Sequence, residues 1–234
     1  PSQFANMWNS ITTGQSWSGE LYNKKKNGDL FWENVTISPI KSNDGQNTHY
    51  LAIKEDISIR KQYEERLMYQ ASYDKLTDLP NRSLAFYRLK QGLANAIRDK
   101  ERLAVMYIDF DHFKNINDTL GHSIGDRVLQ LTSERLSECV RQTDTLSRLG
   151  GDEFAVILPD SNRQAIVERA GVFLKALEKP FSINDSTNTG GASIGITLFP
   201  DHGHNAKILV QRADVAMYMA KRSHTPFMFY DREQ

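Results

Sequence analysis

Apolar and polar positions change their rhythm along the chain, and each change marks a new element. Residues 1 to 57 have a β character. Glu20-Leu21-Tyr22-Asn23 and the run Leu30 to Ile37 flank Lys25-Lys26-Asn27-Gly28-Asp29, whose Asn-Gly pair is a hairpin signal. A second turn, Asn43-Asp44-Gly45, leads to Tyr50-Leu51-Ala52-Ile53. The spacing predicts antiparallel strands with too little material for a self-sufficient core. Residues 58 to 72 are charged and helical, with Ile59, Tyr63, Leu67 and Ala71 four apart on one face. Such a helix either pairs with its own copy or packs singly, and so short a stretch does not decide.

From residue 73 the pattern becomes mixed α and β, in a segment drawn as 73 to 232. A helix is predicted from the Leu79-Pro80-Asn81 turn to about Asp99. The unbroken apolar run Leu103 to Ile108 reads as a central buried strand. Further helices are predicted over about Gly125 to Arg141, Arg163 to Glu178 and Ala206 to Lys221. Strands are predicted near 144–148, 154–158, 192–198 and 227–230. This order predicts an α+β fold, a sheet covered by helices.

Composition narrows the function classes. Basic and acidic residues balance at 29 each, so no global field draws the chain to nucleic acid or an anionic membrane, and any anion site is local. A single cysteine, Cys139, rules out an intrachain disulfide and a cysteine-cluster metal site. No apolar run approaches the ~18 residues of a membrane span. A cytoplasmic location is expected, with an anchor in a preceding segment left open, since Pro-Ser-Gln at the start reads as a fragment.

The chemistry gathers at two places. Gly150-Gly151 stands between strand-like runs and directly before Asp152-Glu153, which predicts a tight hairpin bearing two acids on bare backbone. Taken alone, that tip reads as a solvated acidic turn. Asp109 and Asp111 stand where the buried strand gives way to a loop, a rigid place to hold a hard cation or to cap a helix. Together the two places offer oxygen ligands for Mg²⁺ (or Mn²⁺), with phosphate oxygens and water completing the shell. Lys114 beside a helix start suits a triphosphate, and Asn117 and Asp126 can pair with a base edge. Singly, each of these reads as an ordinary cap or solvated residue. Gly121 and Gly125 read as turn punctuation, and His122, His202 and His204 as structural or surface residues.

The ordered set resembles a known family. Asp74 to Arg82, Asp109 to Asp118, Gly121-His122 with Gly125-Asp126, Arg148 to Phe154, Ser193-Ile194-Gly195 and Ala213 to Lys221 closely resemble the GGDEF domain of diguanylate cyclases. The resemblance implies a palm-like central antiparallel sheet covered by helices. It also implies condensation of two GTP into cyclic di-GMP and pyrophosphate, with one GTP per subunit, so a homodimer belongs to the chemistry. Carried over by position, Asp109 and Asp152 bind metal by side chain and Phe110 by its carbonyl, with Glu153 either a further ligand or a group just behind the ligands. Asp152 and Glu153 are the catalytic pair. Asn117 and Asp126 read guanine, while Phe113, Lys114 and Lys221 meet the phosphates. Arg141 and Asp144 match the family's product-inhibition motif, where cyclic di-GMP binds; outside the family context they read as a surface ion pair. Residues 12 to 60 resemble, more loosely, the C-terminal half of a PAS sensor domain, through Trp17-Ser18-Gly19-Glu20, Lys26 to Asp29, Phe31-Trp32, Ser38-Pro39-Ile40 and Asp56-Ile57-Ser58. No sensor ligand is inferred.

Two positions depart from the family. Asp78 stands where glycine is usual, and His224-Thr225-Pro226 replaces Gly-Arg-Asn. Thr225 thus takes the place of a phosphate-binding arginine, a loss on the order of 1.5–3 kcal/mol in phosphate binding. The expectation is an active cyclase under a PAS module. The alternative is a weak or inactive GGDEF module that binds GTP or cyclic di-GMP and regulates an attached phosphodiesterase (EAL) domain. A DNA-binding regulator is disfavoured by the neutral charge.

Overall fold

In the computed structural model, residues 2–159, 162–183, 186–188 and 190–231 are described. The end drawn for the second segment, at 232, lies outside them. The chain divides into two compact units, Pro1–Tyr69 and Gln70–Gln234. Among the described residues no helix is long and apolar enough to cross a membrane.

The first unit opens with a helix that the β reading of this segment missed, α1 (Ser2–Thr12). Met7 and Ile11, four apart, turn to one side and join Trp17, Leu21 and Val35 in a small core. Strands β1 (Trp17–Lys24), β2 (Leu30–Lys41) and β3 (Asn47–Asp56) form an antiparallel meander in that order. Its turns use Gly28 and Gly45 at φ +97° and +84°. The third strand is exposed along nearly its whole length. Helix α2 (Ser58–Ser72) follows, and none of its residues is buried. Asp56 accepts the Ser58 amide at 3.0 Å, and this bond with the Ser58 hydroxyl and Lys25 pulls its carboxyl down to about 2.

The second unit begins with α3 (Arg82–Asp99), capped by Asn81, whose side chain accepts from the Leu84 amide at 3.1 Å. Then come β4 (Leu103–Phe110), α4 (Phe113–Leu120), α5 (His122–Cys139), β5 (Thr145–Gly150), β6 (Glu153–Pro159) and α6 (Arg163–Glu178). The short β7 (Phe181–Ile183) and β8 (Ser186–Asn188) pair only with each other. The chain continues through β9 (Ala192–Phe199), α7 (Ala206–Arg222) and β10 (Phe227–Phe229).

The five-stranded sheet runs β10-β9-β4-β6-β5. It is antiparallel except at its edge, where β10 lies parallel to β9. The central position of β4 explains its unbroken apolar run, because both of its faces are covered. Ala104, Met106 and Ile108 point into a core with Leu129, Phe173 and Leu177; Val105 and Tyr107 point into the other with Leu89, Leu209 and Met217.

Two glycines correct the predicted helix at 125–141. Gly121 at φ +86° separates two helices, so the second begins at His122. Gly125 is not turn punctuation; it lies inside α5. A Cβ there would stand 1.9 Å from the Asn117 side-chain oxygen, so the helix pair packs through a missing side chain.

Candidate active site at the end of the central strands

Asp109 is the last but one residue of β4, and the register sets it opposite Glu153 on β6 and Ser193 on β9. Cross-strand partners share a face, so Asp109, Glu153 and, two residues back, Tyr107 lie on the side covered by α7. That helix comes down directly on the sheet. A Cβ on Gly195 would stand 1.9 Å from the Ala213 carbonyl and 2.2 Å from the Met217 amide. One turn beyond Met217, the Lys221 ammonium makes an ion pair with Asp109.

The Gly-Gly tip is fixed from both sides. The Phe110 amide donates to the Asp152 carbonyl at 3.2 Å, tying the tip to the end of β4. Arg148 donates from Nε and Nη2 to the Gly151 carbonyl at 3.0 and 2.8 Å, and from Nη1 to Asp74 at 2.8 Å. Asp74 also accepts from the amide and hydroxyl of Thr77. Burial pushes the Asp74 carboxyl up, but the bonds from Arg148 and Thr77 outweigh it and hold it below the ordinary value. Gly151, at φ +51°, has nothing within 4 Å of where a Cβ would be, so its bare backbone faces open space.

The electrostatics of this corner are those of crowded acids. Burial lifts the Asp152 carboxyl above its ordinary range, the charges of Asp109 and Glu153 lift it further, and Lys221 opposes them. Tyr107 is 2% exposed, and burial with the neighbouring Glu153 carboxylate raises its phenol, so the group stays protonated. Asp214 on α7 is raised by burial and by Asp109, against the pull of Arg82.

Asp109, Asp152, Glu153 and the Phe110 carbonyl offer oxygen donors alone, which suits a hard divalent cation. The mutual repulsion that raises Asp152 is what such a cation would relieve. Among the described residues, no three carboxyl, imidazole or thiol groups converge at metal-ligand spacing. A site with few carboxylates leaves positions for water and phosphate oxygens, the usual habit of Mg²⁺. Asp111 is not aimed at this set, because it accepts from the Ser193 hydroxyl at 3.1 Å.

The remaining expected residues fall in separate places. On the α4–α5 flank, Asn117 lies over Gly125, and Asp126 is the next residue, exposed in the second turn of α5. Lys114 is exposed as well. Phe113 packs its ring edge-on against Phe110, 6.5 Å between centroids, so it offers a ligand its backbone rather than its ring. Lys221 and Thr225 line a cleft of about 400 Å³ with Asp111, His112 and His224. His224 takes φ +52° and Asp78 φ +61°, left-handed conformations at positions where a glycine would be unstrained.

Arg141 and Asp144 stand before β5, at the opposite end of that strand from the tip, roughly 17 Å away at ~3.3 Å per residue. Asp144 accepts from the Arg141 amide at 2.8 Å and from Arg169 of α6 at 2.6 Å, with its side chain 6% exposed. The Arg141 side chain is exposed. Sequence reasoning missed Arg169, Tyr107 and Asp214. Tyr107 sits inside an apolar run, and Arg169 comes from a helix far from Asp144 in sequence.

The profile described as diguanylate cyclase, GGDEF domain matches residues 71–226, and a PAS domain profile matches residues 1–58. The signalling protein YkoW of Bacillus subtilis is 38% identical over 86% of this chain and 25% of its own length. The diguanylate cyclase TpbB of Pseudomonas aeruginosa is 42% identical over 67% of this chain and 36% of its own. Its isolated GGDEF domain superposes with a TM-score of 0.66 at 40% identity, covering 68% of this chain and 94% of that one. The bifunctional cyclase/phosphodiesterase MucR of the same organism is 41% identical over 66% of this chain. The chain thus spans between 23% and 36% of the length of these relatives.

Proposed function

The chain belongs to the GGDEF diguanylate cyclase family, and from that premise we propose that it condenses two GTP into cyclic di-GMP and pyrophosphate. The observation that carries this reading is the end of β4, where Asp109 stands opposite Glu153 and pairs with Lys221 while the Phe110 amide holds the Asp152 carbonyl. Guanine enters between α4 and α5, where the Asn117 amide and Asp126 carboxylate match the donor and acceptor edge of the base. The triphosphate then runs toward Lys114, the Phe113 backbone and Lys221. Family members generally use a divalent cation, and here Mg²⁺ or Mn²⁺, held by Asp109, Asp152 and the Phe110 carbonyl, would neutralise phosphate charge and lower the pKa of the attacking hydroxyl. Glu153, diagonal to Tyr107 across the strand pair, stands next to these ligands and orients the 3′-hydroxyl. A single subunit holds one GTP, so the second comes on the facing subunit of a homodimer. Arg141, with Asp144 already braced by Arg169, provides the site for cyclic di-GMP as inhibitor. The first unit acts as the PAS-type input.

Purified protein is incubated with GTP and Mg²⁺, and the product is read by chromatography, with Asp152→Ala as control. Cyclic di-GMP made by the parent and lost in the variant is expected, with a per-subunit rate that rises with protein concentration. No product at high protein concentration would sink the proposal. Thr225 favours a second reading, a GTP- or cyclic di-GMP-binding module that regulates an EAL phosphodiesterase; GTP binding without turnover would support it.

A further inference from the structure

The end of β4 carries a cation of its own. The Lys221 ammonium pairs with Asp109, and its charge is the attraction that opposes the rise of the neighbouring Asp152 carboxyl. The same side chain lines the cleft of about 400 Å³, whose other walls include Asp111, Glu178, His112, His224 and Thr225. Lys221 therefore faces both partners of a metal–nucleotide complex, the metal's carboxylates on one side and the phosphate cleft on the other. An ammonium is a compact point charge on one stem, so a close contact with one partner weakens its contact with the other.

From this placement we propose that Lys221 is a specificity-determining residue that makes cation binding depend on the nucleotide. While the cleft holds no phosphate, Lys221 stays on Asp109 and competes with a divalent cation for that carboxylate. When a triphosphate enters, its charge draws Lys221 into the cleft and releases Asp109. The site then accepts a metal–nucleotide complex and discriminates against the free ion. The helix under Lys221 does not need to move, since a lysine stem of four methylenes spans the difference. The absence of a guanidinium at Thr225 sharpens the effect, because no fixed positive charge in that part of the cleft spares Lys221 the task. Thermodynamic linkage makes the coupling reciprocal: whatever nucleotide does for metal affinity, metal does for nucleotide affinity. The inference rests on the cyclase reading for the metal ligands, the phosphate cleft and the identity of the nucleotide.

The test is a titration of Mn²⁺ into the whole chain without nucleotide, followed by electron paramagnetic resonance of the free ion, for the parent, Lys221→Met and Lys221→Arg. Lys221→Met is expected to bind Mn²⁺ about tenfold more tightly than the parent, equivalent to about 1.4 kcal/mol. Lys221→Arg keeps the charge and is expected to bind as weakly as the parent. A non-hydrolysable GTP analogue should tighten Mn²⁺ binding in the parent, with a several-fold smaller gain in Lys221→Met. Equal or weaker Mn²⁺ binding by Lys221→Met overturns the proposal. So does a gain that persists when Asp109→Asn is added, since it then arises elsewhere. Should Lys221→Met fail to fold by circular dichroism, Lys221→Gln takes its place with the same expected results. The metal-only arm stands or falls without turnover, so its failure is distinct from failure to make cyclic di-GMP.

Discussion

Replacing Arg148 with alanine releases the Gly-Gly tip and strands a carboxylate in one step. The guanidinium is 11% exposed and Asp74 24%, so neither end of the pair is freely solvated. The variant loses a charge-assisted bond to Asp74 and a forked one to the Gly151 carbonyl. Hydrogen bonds to charged groups contribute about 1.5–3 kcal/mol each. Asp74 keeps Thr77 and gains water, so the net loss is discounted to about 2–3 kcal/mol for the second unit. At about 2–4 °C per kcal/mol for a domain of this size, Tm falls by roughly 5–10 °C. The pH dependence has a definite sign. The folded Asp74 carboxyl lies below its unfolded value, so its contribution is complete above the unfolded pKa of ~3.9 and is lost as pH falls through the lower folded value. Urea unfolding of the parent and Arg148→Ala should therefore differ fully at neutral pH and differ less in acid, below about pH 4, where only the bond to the Gly151 carbonyl remains to be lost. A neutral-pH difference under about 0.5 kcal/mol, within the range of an ordinary surface change, refutes the clamp. A difference of unchanged size in acid refutes the ion pair as its source.

Three further outcomes follow from other parts of the second unit. Gly195→Ala places a methyl 1.9 Å from the Ala213 carbonyl, which is backbone and cannot yield, so a loss above about 3 kcal/mol is expected in thermal unfolding, and an unchanged Tm would contradict the packing. Thr225→Arg restores a guanidinium to the cleft and should tighten GTP binding about tenfold or more by calorimetry, from a charged contact of about 1.5–3 kcal/mol; unchanged affinity removes Thr225 as the weak point. Arg141→Ala should raise the cyclic di-GMP concentration needed for half-inhibition about tenfold or more, as expected for a lost bidentate contact, and an unaltered inhibition curve would place the inhibitor elsewhere.

How much could be read beforehand depended on whether a feature has a local cause. The run Leu103 to Ile108 announces a strand buried on both faces, and the structure puts it at the centre of the sheet. Asp109, breaking that run, shows as an acid at a strand end. Gly-Gly before Asp152 shows as a turn because its φ demand is local, and Gly151 takes φ +51°. Gly125 was misread because its reason lies in another helix, in the side chain of Asn117. Tyr107 and Arg169 were invisible for the same cause: each meets its acid only through the tertiary fold, Tyr107 diagonally across a strand pair and Arg169 from a different element. The first helix was missed because its apolar positions serve a small core that the β pattern around it obscured.

The contact of α7 with Gly195 has a mechanical consequence. With backbone against backbone and no side chain between, the helix has no layer to slide on: a shift along the sheet drives the Ala213 carbonyl or the Met217 amide into the strand. Shear, the usual small motion of packed helices, is closed to it. Lys221 is thus mounted on a stationary post, and whatever adjustment the corner makes as ligands come and go falls to side-chain torsions.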